Sequence, residues 1–271
     1  MATVARMSKA AINGLGAEIA RAKELFNSLS DEEWQAPSGC AGWRVQDVAQ
    51  HMAAVYQQIA APDTIDAGDS GQAEVSAEVP VQARKDWTPQ QVMEAYDEWS
   101  EKGLAALSAL QEPPMADTVV PLSDLGEHPM HLLGNAIAFD HYCHLRHDIG
   151  AAIERAAELP QDPAVLGPTV EWMLAGLPQM CADALAAAPS QPVNLVVDGP
   201  AADTWCLTPG DPAVGQRWVV AHGADDDAPV VRTTAHDFVS WGTKRSDWRT
   251  TSTGDVADGH VGAVLDAVNV I

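Results

Sequence analysis

Positive charge is scarce in this sequence. Its 15 lysines and arginines stand against 38 aspartates and glutamates, a formal net charge of −23. Nucleic acid and anionic membrane surfaces are gripped by a positive footprint, so both classes of partner are excluded. Long apolar runs are missing, which excludes a transmembrane helix. The first twenty residues carry charges on a helical pattern and lack the apolar centre of a signal peptide, so the expected location is the cytoplasm. The cysteines are few, at positions 40, 143, 181 and 206. No two of them make a C-x-x-C pair, so a zinc ribbon is ruled out by spacing, and a structural disulfide is not expected. Internal repeats and low-complexity runs are absent.

What is present is enough apolar matter for a real core: 46% of 271 residues, a length that suits one large or two ordinary domains. Helical periodicity opens the chain over residues 3–29, where Val4, Met7, Ala11, Ile12, Leu15, Ile19, Leu25 and Phe26 recur on one face. Ser30-Asp31-Glu32-Glu33 has the chemistry of a capping box. A loop over Pro37 to Gly42 precedes a second helix from Trp43 to about Ile59, with His51 on the edge of an apolar stripe that includes Val48, Met52 and Val55. Residues 62–86 are poor in large apolar side chains and read as a long loop. Thr88-Pro89-Gln90-Gln91 is a strong helix start, and the third helix runs to about Leu110. A fourth is expected from about His128 to Leu159. Four helices with one long crossover suggest a four-helix bundle.

The chemistry is concentrated in Phe139 to Asp148, ten residues with three histidines, two aspartates and a cysteine. On a helix, Asp140 and His144 fall at i and i+4, on the face led by Leu133, Ala136 and Ile137. Polar groups aimed at a core must be satisfied, and a metal ion satisfies these. His51 from the second helix is the third donor. Two imidazoles and one carboxylate leave a position open, the catalytic rather than the structural pattern for zinc; nickel, cobalt or iron accept the same donors. His147 is a ligand, a partner behind the ligands or against substrate, or a general base, with the middle role preferred; Asp148 is placed to orient a histidine. Cys143 reads as a small core residue, and His141 and Arg146 as surface groups.

Leu159-Pro160-Gln161-Asp162-Pro163 reads as a boundary, giving domains 1–160 and 161–271. Beyond a helix at 164–187 the period changes to alternation at Val193, Leu195 and Val197. Further short strands are expected at 205–207, 218–221, 230–233 and 248–251. Thr234 caps a helix through Trp241, and 257–269 is a last helix. The fold class is α+β.

Gly42-Trp43-Arg44-Val45-Gln46-Asp47-Val48-Ala49-Gln50-His51, following Cys40, resembles the second-helix signature of the mycothiol-dependent maleylpyruvate isomerase-like family, within the DinB-like bundle superfamily. Asp140-x-x-x-His144 is similar to that family's carboxylate-x-x-x-His pair, with aspartate in place of the usual glutamate. Asp148 stands four residues after His144, where the family often has three. Gly199-Pro200, Trp205 and the segment around Arg245 and Gly254-Asp255 are similar to the family's smaller C-terminal domain. The resemblance implies a DinB-like four-helix bundle followed by a small α+β domain. It implies a divalent metal, usually zinc, held by His51, Asp140 and His144, and mycothiol as thiol cosubstrate. It also implies an arginine for the substrate carboxylate, best matched by Arg245 with Arg249 close by. The expected partners are a small anionic electrophile such as maleylpyruvate and the low-molecular-weight thiol. An isomerase, a thiol S-transferase, a zinc hydrolase and a non-catalytic binding protein all stay open.

Overall fold

The computed structural model describes the backbone of residues 2–271 and the side chains of residues 10–211 and 213–271. Val4 and Met7 of the first apolar stripe lie outside the described side chains. The chain divides into two compact units, Met1–Pro160 and Gln161–Ile271.

The first unit is helical. α1 spans Ala2–Ser28, α2 Asp31–Gln35, α3 Val45–Ala60, α4 Ala73–Ala83, α5 Pro89–Ala109, α6 Leu133–Cys143 and α7 Glu154–Ala157. A small antiparallel hairpin, β1 Val119–Pro121 with β2 Glu127–Pro129, lies between α5 and α6. α1, α3, α5 and α6 form the bundle, α3 against α5 and α1 against both α5 and α6. Leu15, Val48, Met52, Tyr56, Val92, Tyr96 and Leu107 are fully buried between them, each large side chain contributing about 1.5–3 kcal/mol by leaving water. α3 and α5 approach closely at Gly103, where a Cβ would collide with the ring of Tyr56. The helix starts are set locally. Ser30 and Glu33 close a reciprocal box at α2, and Thr88 and Gln91 close another at α5.

Two expectations for this unit fail. Residues 62–86 are not one loop: α4 forms within them, held by Trp43 Nε1 donating to Glu78 Oε1 at 2.7 Å. Its contact with the rest of the unit rests on few side chains, Pro80 and Val81 being the buried ones, so it has no broad apolar stripe. The fourth long helix is also broken. Residues 127–129 are strand, and after Cys143 the backbone widens into a π-helical turn, His144–Ile149, before the short α7. In that turn the N–H of Gly150 reaches back five residues to the carbonyl of Leu145 at 3.1 Å.

The second unit opens with α8 Pro163–Met180 and α9 Ala182–Ala186. Its strands are β3 Val193–Asp198, β4 Asp203–Thr208, β5 Val219–His222, β6 Val230–Thr234 and β7 Thr253–Gly254, with helices α10 Ala235–Gly242, α11 Trp248–Thr251 and α12 Gly259–Ala267. The sheet order is β5-β4-β3-β6-β7, antiparallel throughout except for the β3–β6 pair. Thr234 caps α10 by accepting from the N–H of Asp237. The strand expected at 248–251 is helix, because Asp247 accepts from the N–H of Arg249 and nucleates a turn there. No helix among the described residues is long and apolar enough to cross a membrane.

Candidate metal centre

α3 and α6 face each other with their polar cluster between them. His51 Nε2 lies 3.1 Å from Asp140 Oδ1, and His144 Nε2 lies 3.4 Å from the same oxygen. The rings of His51 and His144 meet edge to face, centroids 4.9 Å apart. One donor atom from each of His51, Asp140 and His144 lies within 4.8 Å of the other two. All three side chains are largely buried, 12–17% exposed. The aspartate, one methylene shorter than a glutamate, therefore still reaches both imidazoles.

The charge arrangement tests what such a pocket can hold. Burial by itself would raise the carboxyl of Asp140, but the charge of His144, the close approach of His141 and the contacts of His144 and His51 outweigh it and hold that carboxyl well below its usual range. Burial by itself would pull His144 down; the Asp140 carboxylate, with hydrogen bonds to Asp140, Asp148 and Cys40, holds it well above an ordinary histidine. The three donors thus converge on a point that favours positive charge. The outer oxygen of Asp140 is buried without a hydrogen bond, His141 Nδ1 lying 3.2 Å away but poorly aligned, and His51 Nδ1 is also buried without one. Two imidazole nitrogens and one carboxylate converging on a point that favours positive charge fit a divalent ion.

The surroundings position these donors. His144 Nδ1 meets Asp148 Oδ2 at 2.8 Å, which fixes the ring with Nε2 toward the centre. His144 and Asp148 stand four residues apart, close to one face of the coil, and the bond between them lies within the π-helical turn. Gly150 ends the turn, and a Cβ there would collide with the carbonyl oxygen of Arg146. Gly150→Ala should cost about 3 kcal/mol, since backbone has to move. The check is a paired measurement of melting temperature and metal affinity, with both expected to fall.

The loop before α3 is fastened to the same turn. Gly39 N donates to the carbonyl of Asp148 at 2.8 Å, and Ser38 N to the carbonyl of Trp43 at 2.9 Å. Arg44 N and Nε both donate to Asp47 Oδ2, which closes the start of α3 one turn before His51. Gly42 takes a positive φ of 83°, a conformation that suits glycine at the turn into this helix.

Other expectations divide. Cys143 is buried core. His147 belongs to neither donor cluster among the described residues; its ring lies 6.3 Å from that of Tyr142. His141 and Arg146 are not surface groups, being 0% and 2% exposed. His141 Nε2 meets the hydroxyl of Tyr96 on α5 at 3.1 Å, and Arg146 forms a buried ion pair with Glu18 on α1. Each has a partner far away in sequence, which spacing along one helix cannot reveal. Sequence reasoning also missed Cys40, whose sulfur clusters with His144 and Asp148. In the second unit Arg245 is exposed on the loop after α10. Arg249 pairs with Asp247 and Asp266 and lies over the ring of Trp248 at 4.2 Å.

Residues 15–149 match the mycothiol maleylpyruvate isomerase N-terminal domain family. The chain is similar in fold to the crystal structure of the mycothiol-dependent maleylpyruvate isomerase, with a TM-score of 0.56 at 12% identity over 93% of this chain and 94% of that one. It is similar to a histidine-to-alanine mutant of that enzyme at a TM-score of 0.53 and 11% identity, with the same coverage. No curated protein sequence matches significantly. Residues 15–149, most of the helical unit, thus belong to the mycothiol maleylpyruvate isomerase N-terminal domain family.

Proposed function

We propose that this protein is a metal- and thiol-dependent isomerase acting on a small anionic electrophile such as maleylpyruvate, with mycothiol as the thiol. The convergence of His51, Asp140 and His144 on one electronegative point, inside a domain of this family, carries the proposal. These residues would hold the ion, and zinc suits two imidazoles and one carboxylate with a position left for a sulfur. When bound, the ion supplies the positive charge that favours the thiolate of the cosubstrate at neutral pH. Asp148 keeps the His144 ring in the tautomer that faces the centre. The bundle walls around Tyr56, Tyr96 and Met52 keep water from the inner side of the donors. The thiolate adds to the conjugated alkene of the substrate, the former double bond rotates as a single bond, and the thiol leaves unchanged. His147 contacts substrate, and Arg245 binds the substrate carboxylate through paired N–H donors.

Zinc-loaded protein given maleylpyruvate should turn over only when mycothiol is present, with product free of thiol. Thiol retained on the product would make the enzyme a transferase, and no thiol-dependent turnover by the loaded protein would overturn the proposal. In the same assay Arg245→Ala should raise KM by about tenfold or more, the loss of a charge-assisted pair being roughly 1.5–3 kcal/mol. Arg249→Ala, whose guanidinium is engaged by Asp247 and Asp266, should leave KM within about twofold.

A further inference from the structure

Beside the first donor set stands another that shares His144 with it and adds Cys40, to which the isomerase reading gives no role. The sulfur of Cys40, a ring nitrogen of His144 and a carboxylate oxygen of Asp148 lie within 4.8 Å of one another. We infer that Cys40, His144 and Asp148 form a second seat for a soft divalent cation, alternative to the seat of His51, Asp140 and His144.

The cluster is built rather than incidental. Cys40 is set by Ser38, whose hydroxyl accepts from the N–H of Cys40 at 3.2 Å and donates to the carbonyl of Trp43 at 2.9 Å. The adjoining Gly39 packs against Asp148 so closely that a Cβ would sit 3.0 Å from its Cα. Loop and π-helical turn are therefore held together at the point where the three donors meet. Cys40 is only half-buried and lines a surface cleft with Trp43 and Arg44, so its side of the cluster is open to solvent. Among the described residues, Cys143, Cys181 and Cys206 join no such cluster.

The donor chemistry separates the seats. The first offers nitrogen and oxygen only. The second adds sulfur, deprotonated when it ligates, and so selects softer ions such as cadmium. His144 belongs to both. A neutral imidazole has one lone pair and one N–H, so the ring serves one seat at a time. With Nδ1–H on Asp148, its Nε2 faces the first seat; the other tautomer offers Nδ1 to the second and turns an N–H toward Asp140.

The test is cadmium added to metal-stripped full-length protein in a thiol-free buffer, read as thiolate-to-cadmium absorbance in the ultraviolet and as bound cadmium per chain. His51→Ala, which disables only the first seat, should keep the absorbance with about one ion per chain; Asp140→Asn serves the same purpose if His51→Ala does not fold. Cys40→Ser should lose the absorbance while still binding an ion. Absence of the band in both first-seat variants, or its persistence in Cys40→Ser, would overturn the inference. Two ions per native chain would overturn the alternation of His144. The band requires no turnover, so this inference and the proposed isomerase activity fail on separate measurements.

Discussion

His144→Ala should leave the protein folded and without a bound ion. His144 is the shared donor of both clusters and the ring that Asp148 orients, so nothing nearby replaces it. Loss of a residue that merely supports a ligand costs about 10–100-fold in metal affinity or activity, and loss of the ligand itself should exceed about 100-fold. The measurement is metal content by mass spectrometry on protein purified without a histidine tag, after zinc is supplied, with thiol-dependent turnover on the same samples. Removing the ring also takes one partner from the buried Asp148 carboxylate, so the melting temperature should fall as well, and metal content is read on the folded fraction. His144→Ala that retains a full equivalent of zinc would remove the metal centre from these residues.

Glu18→Leu should be the most destabilising change in the helical unit. Glu18 and Arg146 are 0% and 2% exposed, on α1 and the π-helical turn. Arg146 also donates to the carbonyl of Pro160 at 2.6 Å and lies over the ring of Tyr142 at 4.2 Å, so its guanidinium is fixed in place. Removing the glutamate strands a buried cation, a loss of about 3–5 kcal/mol, or roughly 10 °C in melting temperature for a unit of this size. The double variant Glu18→Leu with Arg146→Met should recover most of that loss, because an apolar pair of similar volume carries no desolvation cost. Thermal melts of both single variants and the double decide it. A double variant no more stable than Glu18→Leu would mean that the arginine's other contacts, and not its charge, set the cost.

The helices that could be read from the sequence are those whose information is local. Thr88 and Gln91 fix the start of α5 within four residues, and the stripe through Val48 and Met52 marks the buried face of α3. The pairing of Asp140 with His144 was legible because both lie on one turn of helix. What was not legible depends on distant partners. Arg146 and His141 look like surface groups until Glu18 and Tyr96 arrive from other helices. The break in the fourth helix has no apolar signature; its local mark is Gly150, which reads as an ordinary small residue in a helical run. α4 was hidden by its own composition, since a helix touching the body through Pro80 and Val81 needs little apolar sequence. Cys40 escaped because a cysteine in a loop says nothing of the histidine folded against it.

The single parallel pairing in the sheet, β3 with β6, sets the order in which the second unit can be made. β4 and β5 can zip onto β3 one after another as the chain emerges, each beside its predecessor. β6 must wait until the whole β4–β5 excursion is complete, and then dock on the far edge of β3 across a long loop of chain. Until then β3 offers an unpaired edge of Val193, Leu195 and Val197. Slow synthesis or a weakened β4–β5 turn would prolong that interval, and aggregation during expression would begin there while the helical unit was already formed.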